Sequence, residues 1–149
     1  MAVITGIVGS ARKEGRFVLQ VDGAAGPTVS LDIIDRLQLR VGREVDEALA
    51  ARLVEEGGAL AAYDRALNML AFQARSSREL KRRLVQKGED AAYVDAAVER
   101  LVAAGLLDDA EYARQVARSK VAGQGASRRR LQQELFKRGV ERGVADAAI

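Results

Sequence analysis

The sequence predicts a mainly α-helical protein: tandem three-helix repeats preceded by a small β-rich (α+β) N-terminal domain. Three observations predict it. First, Ser76-Ser77-Arg78-Glu79-Leu80-Lys81-Arg82-Arg83-Leu84-Val85-Gln86-Lys87-Gly88 returns as Ser127-Arg128-Arg129-Arg130-Leu131-Gln132-Gln133-Glu134-Leu135-Phe136-Lys137-Arg138-Gly139, an offset of 51 residues. The offset still holds where Asp95-Ala96-Ala97-Val98 returns as Asp146-Ala147-Ala148-Ile149. A fixed period of this size marks stacked helical units. Second, apolar residues beyond position 59 recur at helical spacing between recognisable caps and stops. Third, the residues before that point are β-branched runs separated by glycine turns.

Residues 1–58 are expected to form a folding cap. Val3-Ile4 through Ile7-Val8 reads as a strand, weakened at Gly6 and Gly9. Arg16–Asp22 is a better one, with Phe17, Leu19 and Val21 alternating with less apolar positions. Arg12-Lys13-Glu14-Gly15 is the hairpin turn between them, Asp22-Gly23 starts a second turn, and Thr28–Ser30 is a short third strand. The result is a three-stranded antiparallel meander. Ser30 caps a short helix over Leu31–Leu37 with Ile33, Ile34 and Leu37 inward. Leu39–Gly42 is a turn, Asp46 caps a helix over Glu47–Glu56, and Gly57-Gly58 is the linker.

Everything beyond is helical. Leu60, Tyr63, Leu67 and Leu70 line a helix over Leu60–Ala74. Ser76 caps the next, with Glu79 three residues on completing a capping box. Leu80 and Leu84 face inward, and Gly88 fits the left-handed stop. Val94, Val98, Leu101 and Val102 mark a helix over Ala91–Ala103, closed by Gly105. Leu106-Leu107-Asp108-Asp109 staples and caps a helix over Ala110–Ala122. Ser127 caps Arg128–Lys137, Gly139 stops it, and a last helix begins near Val144. Residues 59–107 are then repeat one. Residues 108–149 are an incomplete repeat two, whose third helix is expected to leave its apolar face partly unburied.

Composition narrows the chemistry. The chain of 149 residues has no His, Cys or Trp, which excludes Cys/His zinc sites and nucleophile–His pairs. No Gly-rich phosphate loop ends in Gly-Lys-Ser/Thr. No cofactor is expected, and no enzymatic activity. Neither a signal peptide nor a membrane span is legible, so no membrane partner is expected and the cytoplasm is the expected location. Residues 1–58 carry seven Lys/Arg and nine Asp/Glu, whereas residues 59–149 carry 17 and 12, so the basic character lies in the repeats.

The candidate functional residues follow from that asymmetry. Arg75, Arg78, Lys81, Arg82, Arg83 and Lys87 stand against one acidic residue, Glu79, in residues 75–87. They lie off the Leu80/Leu84 face at helical spacing. Arg128, Arg129, Arg130, Lys137 and Arg138 repeat the pattern. A charge run is usually a solvated face, but recurrence favours a contact surface for phosphates or an acidic protein groove. Arginine also suits bidentate contact with either. Asp108-Asp109 could serve as a carboxylate pair, yet helix capping explains it better. Tyr63, Tyr93 and Tyr112 could stack bases, but their apolar-face positions favour packing. A direct DNA-binding module of helix-turn-helix type, with the basic helix in the major groove, stays open beside the protein-groove reading. So does a plain structural adaptor.

Arg75-Ser76-Ser77-Arg78-Glu79-Leu80, Leu84, Lys87-Gly88, Leu101 and Gly105-Leu106-Leu107-Asp108-Asp109 with Tyr112-Ala113 resemble the first repeat of the RecX family. Leu131, Glu134-Leu135, Lys137 and Gly139 resemble its second repeat. Leu39, Val41-Gly42 and Glu44-Val45, ahead of Tyr63 and Ala66-Leu67, resemble the extended N-terminal region of longer members. The resemblance implies a regulator of the RecA recombinase in DNA repair, homologous recombination and the SOS response. It implies binding to RecA filaments on single-stranded DNA, with damping of ATP hydrolysis, strand exchange and co-protease activity. The protein is expected to act as a monomer, with the basic residues above meeting RecA or DNA.

Overall fold

The computed structural model describes residues 1–149, the side chain of Gln124 excepted. The chain forms two compact units, Met1–Ala61 and Ala62–Ile149. The first holds β1 (Ala2–Gly9), β2 (Arg16–Val21), β3 (Ala24–Ser30), α1 (Leu31–Leu37), β4 (Glu44–Val45) and the start of α2 (Glu47–Phe72). The second holds the rest of α2, then α3 (Ser77–Gln86), α4 (Ala91–Ala103), α5 (Asp109–Gln124), α6 (Arg128–Lys137) and α7 (Arg142–Ala148).

The antiparallel sheet of the first unit runs β3-β2-β1-β4. Phe17 pairs with Gly9 on one side and Val29 on the other. Ile4, Leu19 and Val29 are fully buried and pack with Ile33, Leu37, Leu49, Leu53 and Leu60 from the helices. Sheet and helices thus share one core, which a meander alone could not provide. The Ser30 hydroxyl accepts from the Ile33 amide at 3.2 Å, so α1 starts where the cap signal puts it.

Three expectations are corrected. A fourth strand exists: Glu44 and Val45 pair with Val3 and Ala2 of β1. Two residues are too few to show alternation. The third strand begins at Ala24 rather than Thr28, because Val21 and Gln20 of β2 pair with Ala24 and Ala25 across a register shift. Pro27 is tolerated there because β3 is an edge strand. Finally, Gly57-Gly58 is not a linker. Helix α2 runs unbroken through both glycines. Each costs about 1 kcal/mol relative to alanine in a helix. The burial of Leu53, Leu60, Ala62 and Ala66 on either side outweighs that cost.

In the second unit, Leu80 and Leu84 of α3 meet Val94, Val98 and Leu101 of α4, with Ala66 of α2 and Leu107 completing the cluster. Val102, expected inward, is 52% exposed, and Ala97 is buried instead. A second cluster joins Ala113 and Val116 of α5, Leu135 of α6, Val140 of the turn that follows it, and Ala145 of α7. Val144, Ala148 and Ile149 pack against it only half-buried. Among the described residues, no helix is long and apolar enough to cross a membrane.

Side chains at helix ends fasten the two three-helix groups together. The Ser76 hydroxyl accepts from the Glu79 amide at 3.2 Å, as an N-cap should. The same hydroxyl donates to the Arg138 carbonyl at the end of α6. The Asp109 carboxylate, in the first turn of α5, accepts from the Ser77 amide at 2.7 Å and the Ser77 hydroxyl at 2.6 Å. Gly139 lies against this joint with φ +83°, and a Cβ there would stand 3.0 Å from the Ser76 oxygen and 3.2 Å from Arg78 Cβ. The expected capping box is therefore only half formed. Among the described residues, the Glu79 carboxylate turns away to Arg82 and Arg83.

Candidate functional site

Leu80 and Leu84 are buried, so helical geometry turns the basic residues of α3 outward. Leu131 and Leu135 do the same for α6. The predicted basic residues then separate by what they already hold. Arg82 and Arg83 both bind the Glu79 carboxylate, at 2.9 and 3.1 Å. These bonds, Arg82's foremost, hold the Glu79 carboxyl below its ordinary titration range. Lys81 pairs with Asp95 at 3.3 Å across to α4. Arg138 is half-buried, bound to the Tyr112 hydroxyl at 3.2 Å and to Glu134 at 2.9 Å. The Tyr112 bond is the larger cause of its raised pKa, ahead of Glu134. Arg128 donates to the Ile149 and Asp146 carbonyls at 3.3 and 3.4 Å, near the end of α7.

The remaining cations are uncommitted. Arg78, Lys87, Arg129, Arg130 and Lys137 are exposed, and among the described residues their side chains form no ion pair or hydrogen bond. Arg78 and Arg129 occupy the same position in the two repeats. Arg75 is different again. It is half-buried, its Nε has no hydrogen-bond partner, and it borders a cleft of about 220 Å³ with Tyr112, Asp108 and Glu111. The joint at Ser76 and Arg138 brings the start of α3 to the end of α6, so Arg78 lies beside Gly139. Lys87 stands at the opposite end of α3 from that joint, and Arg129 and Arg130 at the opposite end of α6.

The acidic candidates, Tyr63 and Tyr112 resolve into structure. Asp108 caps α5, accepting from the Glu111 amide at 3.1 Å, while Asp109 serves the joint. Among the described residues no acidic cluster could hold a metal ion. The Tyr63 ring lies 4.0 Å from the Arg100 guanidinium, a cation–π contact beside the core. Tyr112 packs against the second cluster. The exposed aromatic of the basic surface is Phe136, 74% exposed on α6. Residue-type reasoning passes over it. The signal was its place one residue after the inward Leu135, which a helix turns outward.

A recognition helix reads bases with the residues of its N-terminal end. In α3 that end is partly taken up: Ser76 is fully buried and Ser77 is bound by the Asp109 carboxylate, which leaves Arg78 as the exposed residue of the first two positions. A fixed negative charge at this position repels phosphate. The available surface of α3 is instead its outward flank, which suits contact along a groove.

Comparison with known proteins agrees with this architecture. Residues 62–101 match the family profile described as "RecX, first three-helix domain", and residues 108–149 match "RecX, second three-helix domain". A Levilactobacillus brevis protein named "Regulatory protein RecX" is 33% identical over the whole of this chain, which spans 56% of that protein. The protein of the same name from Halorhodospira halophila is 40% identical over 64% of this chain and 60% of its own length. A crystal structure of regulatory protein RecX superposes with a TM-score of 0.85, at 24% identity, over 99% of this chain and 72% of that one. RecX from Lactobacillus salivarius superposes at 0.59, with 23% identity, over 61% of this chain and 59% of that one. At these identities the superpositions speak for the fold. Both three-helix domains and the relative matched along the whole of this chain point one way: the chain belongs to the RecX family of regulatory proteins.

Proposed function

We propose that this chain is a non-enzymatic regulator that binds RecA filaments on single-stranded DNA and inhibits their ATP hydrolysis, strand exchange and co-protease activity. The family resemblance supplies RecA as the partner. The observation that carries the reading is the pair of outward basic flanks, with Arg78 and Arg129 uncommitted at equivalent repeat positions. Two like-charged faces at a fixed repeat suit a partner that itself repeats and carries acidic groups or phosphates. The reading places the protein in DNA repair, homologous recombination and the SOS response, acting as a cytoplasmic monomer.

The test adds purified protein to RecA, single-stranded DNA and ATP. ATP hydrolysis is expected to fall at stoichiometric protein. Reversing charge in the double variant Arg78→Glu/Arg129→Glu is expected to weaken inhibition at least about tenfold. Its melting temperature should stay unchanged, because exposed unpaired groups contribute within about 0.5 kcal/mol. Unaltered ATP hydrolysis and strand exchange with the unmodified protein would sink the reading. Tight, duplex-selective binding in the absence of RecA would replace it with the helix-turn-helix reading.

A further inference from the structure

Phe136 is 74% exposed, although phenylalanine is among the residue types most often buried. It borders an open groove of about 790 Å³ formed by α6 and α7. Arg129, Arg130, Lys137 and Arg142 stand around this groove, with Val140 and Ala145 also lining it. Two carboxylates line it as well, and both are engaged. Glu134 binds Arg138 at 2.9 Å and lies 4.0 Å from Lys120. Asp146 accepts from Gln132 at 2.8 Å and stands 3.9 Å from Arg142. The free charge of the groove is therefore positive, and its occupant should be an anion with an apolar face.

Two kinds of partner have that chemistry. An acidic amphipathic helix needs a row of apolar anchors at i, i+3 or i+4, and i+7. The groove offers a single large exposed apolar side chain, since Val140 and Ala145 are only 2% and 3% exposed. Single-stranded nucleic acid needs one flat ring among cations, because every base has a stacking face and every nucleotide a phosphate. That is what Phe136 and its neighbours present. The equivalent residue of the first repeat, Val85, is also outward, at 49% exposure, but has no ring.

We propose that the α6–α7 groove holds a short single-stranded nucleic-acid segment, one base stacked on Phe136 and flanking phosphates on Arg129, Arg130 and Lys137. It rests on the regulatory reading above, and assigns this part of the basic surface to the DNA rather than to the RecA protein. The second repeat then makes the strand contact, and the ringless first repeat is left for protein.

The test measures binding of a fluorescein-labelled oligothymidylate by anisotropy, without RecA, for the full chain and four variants. Phe136→Ala and Phe136→Leu should each weaken binding about 5- to 100-fold, and Phe136→Tyr should bind within about twofold of the parent. Lys137→Ala should lower the log–log salt slope by about 0.7. Three results overturn the proposal: no oligomer binding by the parent at low salt, an unaffected Phe136→Ala, or an unaffected Phe136→Leu, which would mean that bulk rather than stacking is used. RecA-stimulated ATP hydrolysis measured alongside separates the two ideas. Inhibition without oligomer binding removes the groove and leaves the regulator, whereas oligomer binding without inhibition removes the regulator and leaves the groove.

Discussion

Truncating Asp109 should loosen the joint between the two three-helix groups, and the cost can be worked from its contacts. Its two carboxylate oxygens lie 2.7 Å from the Ser77 amide and 2.6 Å from the Ser77 hydroxyl, in a partly buried setting. The Ser77 amide belongs to the first turn of α3, where no intrahelical acceptor exists. Hydrogen bonds to a charged group contribute about 1.5–3 kcal/mol each when buried. Water can re-solvate both donors here, because Ser77 is only half-buried. Asp109→Ala should therefore cost about 2–3 kcal/mol in total. Ser77→Ala removes only the hydroxyl bond and should cost about 1–1.5 kcal/mol. In the double variant the second loss vanishes, since the hydroxyl has already lost its acceptor. The coupling energy should thus be about 1–1.5 kcal/mol, against an additivity error of about 0.3–0.5 kcal/mol. Urea unfolding followed by circular dichroism measures all three variants. A coupling below about 0.5 kcal/mol would refute the reasoning, because it would show that the joint does not hold the folded state together.

Gly139→Ala and Gly88→Ala form a matched pair at equivalent repeat positions. Both residues have positive φ, +83° and +96°, but only at Gly139 would a Cβ meet neighbours, at 3.0 and 3.2 Å. Gly88→Ala should cost about 1 kcal/mol from backbone strain, and Gly139→Ala about 2–3 kcal/mol, read as urea midpoints. Equal costs would count against the joint. In the first unit, Arg36 holds the Glu56 carboxyl below its ordinary value of 4.5 through paired 2.9 Å bonds. A depressed carboxyl contributes stability that is present above its unfolded pKa and lost as pH falls through its folded one. Arg36→Ala should therefore lower stability by about 0.5–1 kcal/mol near neutrality and converge with the parent in acid. A difference that persists unchanged at pH 3 would show that the pair is not its source.

Most helices were legible because their signals are local. Ser30, Ser76, Asp108 and Ser127 cap the helices they were expected to cap, each accepting from the amide three residues on. Leu80, Leu84, Leu131 and Leu135 face inward as their spacing requires. What escaped depends on tertiary partners. Glu44-Val45 becomes a strand only because β1 lies beside it. Gly57-Gly58 stays helical only because apolar residues on both flanks are buried. The roles of Ser76 and Asp109 are set by residues 62 and 32 positions away. Within the basic surface, sequence shows where the cations lie but not which are spent. Arg82 and Arg83 look like Arg78 in the chain, and only the Glu79 geometry distinguishes them.

The meeting of Ser76 with the end of α6 has a consequence for ionic strength. Arg78 of α3 is brought beside the end of α6, where Lys137 and Arg138 stand, and these charges repel. The contacts that oppose this repulsion are short, partly buried and weakly screened, whereas the repulsion acts through solvent over a Debye length of about 10 Å at 0.1 M salt. Added salt therefore eases that repulsion and leaves the hydrogen bonds of the joint largely intact. The joint should therefore hold more firmly at high ionic strength than at low.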